Sequence, residues 1–227
     1  MSEKIAPTLL ERSVIPNFVG VGKFDEIKDR FIVAARSIML AHKLVYEENC
    51  WQITALELYL KLNDQPDLWR DPTAHEDPEQ LKRGTWYVHD YDPDSGGRAP
   101  GYCGIDISAG CESSNIYAGL LIREIECVDG SAKALQTILR GTFRRDRWSD
   151  DEKRRLQQIH GKTIDSGPLR LVARAAPIQG ALWIGPRIFK AKKKPEPEFR
   201  DCCLRAATWK TKVNNTNMKP VPNFENV

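Results

Sequence analysis

The segment Ile53–Lys61, ITALELYLK, constrains this chain more than any other. Its length and composition read as a β-strand. Side chains alternate faces along a strand, so Leu56, Leu58 and Leu60 share one face and require burial. Glu57 and Tyr59 share the other face, together with Ile53 and Ala55. An acid flanked by apolar residues in a strand needs a partner, water or a chemical task. A surface ion pair is the ordinary outcome for such a glutamate, and catalysis is the alternative.

The rest of the chain reads as α+β organisation around this strand. Residues 24–43 carry Phe24, Ile27, Phe31, Ala34, Ala35, Ile38 and Met39 at helical spacing. Residues 62–83 are polar and hold prolines, which predicts a loop longer than compact domains ordinarily keep without functional cause. Strands are predicted at 85–91 (TWYVHDY), 102–108 (GYCGIDI) and 117–127 (YAGLLIREIEC). The first two flank a Gly- and Pro-rich hairpin tip at 92–101. Helices follow at 131–140 and 150–160, the second opened by a Ser149–Glu152 capping box. A third helix is predicted to open at Ser166-Gly167-Pro168 and run through LRLVARA. Strands return near 186–193 and 201–207. One domain over 1–212 and a polar, flexible tail over 213–227 complete the expected organisation.

Of the 227 residues, 41% are hydrophobic, enough for a core at this length. No apolar run approaches the roughly 20 residues of a membrane span. The N-terminus interrupts its apolar stretch with charges and does not read as a secretory signal. A cytoplasmic or nuclear protein, not secreted and without membrane association, is the expectation. The six cysteines include no CxxC pair, and adjacent Cys202 and Cys203 would point to opposite faces of a strand. They read as reduced thiols, not as a zinc site. The formal net charge is +3, unevenly spread: residues 1–80 hold 9 basic and 14 acidic side chains, whereas 187–219 hold ten and three. Such a basic segment is either a solvated face or a surface for a polyanion.

Tyr87 and His89 share a strand face with Tyr91, opposite Trp86 and Val88. Asp106 lies opposite Ile105 and Ile107. If these faces converge with that of Glu57, they form a pocket of carboxylates, imidazole and phenol rings. Such a pocket suits a flat heteroaromatic ligand, with a base to activate water.

The collinear order of LELYL, DPTAHEDP, GTWYVHDY, GIDIS, LLIREIE and SGPLRL resembles the alkyladenine DNA glycosylase (3-methyladenine DNA glycosylase) family over roughly residues 30–210. The resemblance implies a curved antiparallel sheet flanked by helices. It also implies a monomeric, monofunctional enzyme that flips a modified base out of double-stranded DNA and hydrolyses its N-glycosidic bond, without metal or cofactor. Glu57 matches the acid that activates water, and Arg123 an arginine that positions that water. Tyr59, His75 and Tyr87 match side chains around the flipped base. His89 stands where the family has a second stacking tyrosine, and Asp106 where it has an asparagine that obstructs guanine. Tyr91 is the nearest candidate for the side chain that fills the gap in the duplex. Lys190, Lys192, Lys193 and Lys194 are the expected phosphate contacts, with the Ser166-Gly167-Pro168 helix start as another.

Asp106 is expected to offer acceptors to a donor-bearing base. No lysine accompanies Glu57 in these motifs, which argues against a Schiff-base lyase step. The changed pocket positions and longer loops admit a second target, bulky modified bases in foreign (phage) DNA. A non-catalytic nucleic-acid-binding module is the remaining alternative.

Overall fold

The computed structural model of the protein describes residues 14–69, 71, 73–89, 91, 103–126, 128–140, 149–186, 204–208 and 219–221. Helix α1 (Phe24–Arg36) buries Ile27, Phe31, Ile32, Ala34 and Ala35. The helix was expected to continue to residue 43. Instead the chain passes through a π turn at Ser37–Ala41 into strand β1 (His42–Tyr46). His42, Leu44 and Tyr46 are buried while Lys43 and Val45 are half-buried, so the apolar period changes to two at this point. β1 pairs with β2 (Asn49–Trp51) through a two-residue turn in which Glu47 takes φ 53°.

β3 (Ile53–Leu62) is the predicted central strand, and its Leu56, Leu58 and Leu60 are fully buried. Around it lie β4 (Arg83–Val88), β5 (Ile105–Ala109), β6 (Ile116–Ile125), β7 (Val128–Asp129), β9 (Leu182–Pro186), β10 (Leu204–Thr208) and β11 (Lys219–Pro220). The order is β11-β9-β10-β3-β6-β5-β4, with β7 on β6, and the pairs are antiparallel. Helices α2 (Ser131–Leu139) and α3 (Asp150–Ile159) contribute Leu135, Ile138, Leu156 and Ile159 to the core that also holds the three leucines of β3. Among the described residues, three helices and a large, open antiparallel sheet make the fold α+β, as expected.

Three expectations change. The segment after Ser166-Gly167-Pro168 is not a helix but strand β8 (Leu169–Ala173), paired with β1. Leu169 and Leu171 are buried and Arg170 between them is exposed, a period of two that the hairpin β1–β2 completes as a three-stranded sheet. The phosphate site expected at a helix start there is therefore not formed. Ile53 does not share a face with Glu57. Register shifts between Ile53 and Ala55 and between Ala55 and Leu56 place Ile53 in the main core, whereas Ala55 packs with Ala207 and Trp183. Within the tail assigned to 213–227, Lys219–Pro220 pairs with Ile184 and Trp183, and Val221 is buried.

Candidate active site

Strand register decides which side chains converge. Arg205 on β10 pairs with Glu57, Glu57 with Leu121, Leu121 with Asp106, and Asp106 with Tyr87. Directly paired residues project to the same side of a sheet, so these five form one row on the face opposite the β3 leucines. Two residues along, Tyr59, Gly119 and Ser108 form the next row.

Glu57 is 3% exposed. Its Oε2 accepts a hydrogen bond from the Tyr59 hydroxyl at 3.3 Å. Arg123 Nε stands 3.7 Å from Oε1, beyond hydrogen-bond range, and Oε1 makes no hydrogen bond. Leaving a buried polar group without a partner costs about 1–3 kcal/mol, more for a charged one. The fold therefore keeps this oxygen at a disadvantage to stability, with an arginine as counter-charge. A second buried pair lies beside it. Arg205 Nη2 is 3.8 Å from Glu124 Oε2, and Glu124 Oε1 accepts from the Thr54 hydroxyl at 3.1 Å.

At the far end of the row, fully buried Asp106 holds two neighbours. Its Oδ1 lies 2.6 Å from His89 Nε2, and its Oδ2 accepts from Gln80 Nε2 at 3.1 Å. Gln80 sits in the 3-10 turn Pro78–Leu81, which Asp77 caps by accepting the Glu79 N–H. The amide reaches Asp106 across Gly119. A Cβ at Gly119 would stand 2.3 Å from Asp106 Oδ2 and 2.9 Å from Gln80 Nε2. Each Asp106 oxygen thus has one protein neighbour at hydrogen-bond distance, which leaves a carboxylate further acceptor capacity, and His89 is held among the rings.

Those rings form a continuous wall. His89 lies 5.1 Å from Tyr87, 5.0 Å from His75 and 6.2 Å from Tyr59, centroid to centroid. His75 also meets Tyr87 edge-on at 6.5 Å. Its loop is tied down: the Asp71 N–H bonds the Leu60 carbonyl at 3.2 Å, Trp69 stacks on Phe24, and Lys61 pairs with Glu76. His160, which follows α3, extends the wall to 5.8 Å from Tyr87 and 5.1 Å from Tyr91. Its Nδ1 accepts the Val88 N–H at 3.2 Å. Burial pushes the His160 imidazole below the ordinary histidine range, against the opposing charges of Glu79 and Asp77.

Glu57, Arg123, Tyr59, His75, Tyr87, His89 and Asp106 thus occupy one connected region. Tyr91 packs against His160 and the core edge, so entering a duplex would require it to leave that contact. The hairpin tip 92–101, Lys190, Lys192, Lys193, Lys194, Cys202 and Cys203 lie outside the described residues. Sequence reasoning missed Gln80, His160 and the position of Arg205 beside Glu57. A glycine inside a strand, Gly119, was the available signal for a close approach on that face. Among the described residues, no group of three or more His, Cys, Asp or Glu side chains is placed to hold a metal ion. Comparison of the chain with protein-family models, curated proteins and solved structures gives no match.

Proposed function

We propose that the protein is a monofunctional DNA glycosylase that extrudes a modified base from double-stranded DNA and hydrolyses its N-glycosidic bond. The observation that carries this reading is Glu57: a buried carboxylate with an oxygen that accepts no hydrogen bond, on the sheet face that also bears the His75–Tyr87–His89 wall. A base inside stacked duplex is out of reach, so the nucleotide must be flipped into a pocket. The rings supply faces and edges for a flat base. Glu57 takes a proton from water as the water attacks the anomeric carbon, and its charge opposes the positive charge developing on the sugar. Arg123, 3.7 Å from Oε1, orients the carboxylate and the water.

The polar His89–Asp106–Gln80 cluster favours a base with a polar edge or substituent over a simple alkylpurine. This is also what favours the second reading, excision of bulky modified bases from foreign DNA. The test is incubation with a panel of modified duplexes and modified phage genomes, with mass spectrometry of released bases and scoring of abasic sites. Release of a base with matching abasic sites supports the proposal. Duplex binding without release from any substrate would favour a non-catalytic binding module.

A further inference from the structure

Resting on the glycosidic reading for its reaction, we propose that Arg205 is a positioning residue for Glu57: it keeps that carboxylate ionised, while Glu124 holds it back from capturing the carboxylate in an ion pair. Arg205 and Glu57 are directly paired across β10 and β3, so their side chains leave the sheet on one side, with Cβ atoms about 5 Å apart. Arg205 nevertheless reaches past Glu57. Its Nη2 lies 3.8 Å from Glu124 Oε2, and Glu124 belongs to β6, on the far side of β3 from β10. The guanidinium therefore crosses β3. Ala55, paired with both Ala207 and Glu124, has no side chain beyond Cβ to block the crossing.

A bulge makes this arrangement possible. Ala55 pairs with Glu124 but Leu56 with Ile122, so Arg123 is an extra residue on β6 and strict alternation is broken there. Two successive residues of β6 consequently meet partners on the site face. Arg123 Nε is 3.7 Å from Glu57 Oε1, and Glu124 receives Arg205. Glu124 is itself fixed by the Thr54 hydroxyl at 3.1 Å. Arg205 is 5% exposed, and its buried Nε makes no hydrogen bond, which costs stability. At 3.8 Å its tie to Glu124 is one of charge, not a hydrogen bond.

Among the described residues, the titratable and charged groups that face Glu57 are Tyr59 on its own strand, Arg123 and Glu124 on β6, and Arg205 on β10. Asp106, with His89 on its Oδ1, lies in the same row beyond Leu121. Two arginines and two glutamates sum to no net charge. Within that balance the Arg205 charge favours ionised Glu57 and the Glu124 charge opposes it. The tether to Glu124 also keeps Arg205 from closing on Glu57 Oε1, the oxygen that bonds to no donor.

The test reads charge and chemistry separately. The Glu57 carboxyl carbon, identified by its absence in Glu57→Gln, is titrated by carbon-13 NMR in the protein without DNA. Wild type, Arg205→Met, Arg205→Lys and Glu124→Gln are compared, with melting temperature as the folding control. The titration should move to higher pH in Arg205→Met, to lower pH in Glu124→Gln, and stay in place in Arg205→Lys, which keeps the charge. A residue that only packs would move it in neither direction. Glu124→Gln keeps the shape and an acceptor for Thr54, and carries the test if Arg205→Met fails to fold. Single-turnover release from a modified duplex should slow by about 10-fold or more in Arg205→Met and in Glu124→Gln, the scale of a misplaced catalytic group. Neither change should cost anything further when added to Glu57→Gln, since both act through that residue. A titration unmoved in both variants, or moved the same way in both, would overturn the assignment. So would slowing that persists in full in the Glu57→Gln background. Opposite movements with no base released from any duplex by the wild type would support the coupling of Arg205 to Glu57 and overturn the reaction assigned to the site.

Discussion

Glu57 and His160 show opposite uses of a titratable side chain, one buried and one half-buried. Glu57 keeps an oxygen without a hydrogen-bond donor, whereas partial burial lowers the pKa of His160, which accepts the Val88 N–H. The second arrangement has a pH signature. A folded-state value below that of the unfolded chain means the unfolded chain binds more protons as pH falls past about 6.5. The contribution of His160 is thus complete above that pH and lost as pH falls through the folded value. The melting temperature should decline between about pH 7.5 and about pH 5.5, and decline less in His160→Gln, which keeps an acceptor that does not titrate. Equal pH slopes would contradict this. At this scale the sequence was informative where one strand carried the logic: the alternation around Glu57 placed it and Tyr59 on one face. Nothing in DPEQL distinguishes Gln80, because its partner Asp106 is 26 residues away and local pattern does not reach that far.

Between residue and molecule, the elements were legible where a local signal was strong. The Ser149–Glu152 capping box forms, with the Glu152 N–H on Ser149 Oγ and the Ser149 N–H on Glu152 Oε2. Ser149→Ala should cost about 1 kcal/mol of stability by urea titration, and a cost near zero would contradict the cap's role. β8 was misread because LRLV satisfies either period over so short a run, and the β1–β2 hairpin that recruits it turns at Glu47–Glu48 without glycine or asparagine. Ile53 was misplaced because a bulge is invisible to a strict alternation rule. Gly119 ties element to site. Gly119→Ala forces its Cβ into the Asp106–Gln80 contact, so destabilisation of about 1–3 kcal/mol is expected, together with loss of activity. A variant with unchanged stability and activity would show that the network tolerates separation.

For the whole molecule, the proposed nucleic-acid substrate draws its support from the charge asymmetry of the sequence. The acidic residues 1–80 include Glu57 and the loop of His75, while 187–219 hold ten basic residues, of which Arg205 is buried against Glu124; under the proposed function the others are the candidates for phosphate contact. If about four phosphates are neutralised, log affinity for duplex DNA should fall against log salt with a slope of roughly −3 to −4. A flat response would identify the segment as a solvated face. The most direct test of the account is single-turnover release, from whichever modified duplex the wild type processes fastest, compared between wild type and Glu57→Gln at equal duplex affinity. Gln keeps the shape and removes the charge, so the rate should drop by two or more decades, roughly the contribution of a general base. A Glu57→Gln variant that releases the base at a near wild-type rate would contradict it.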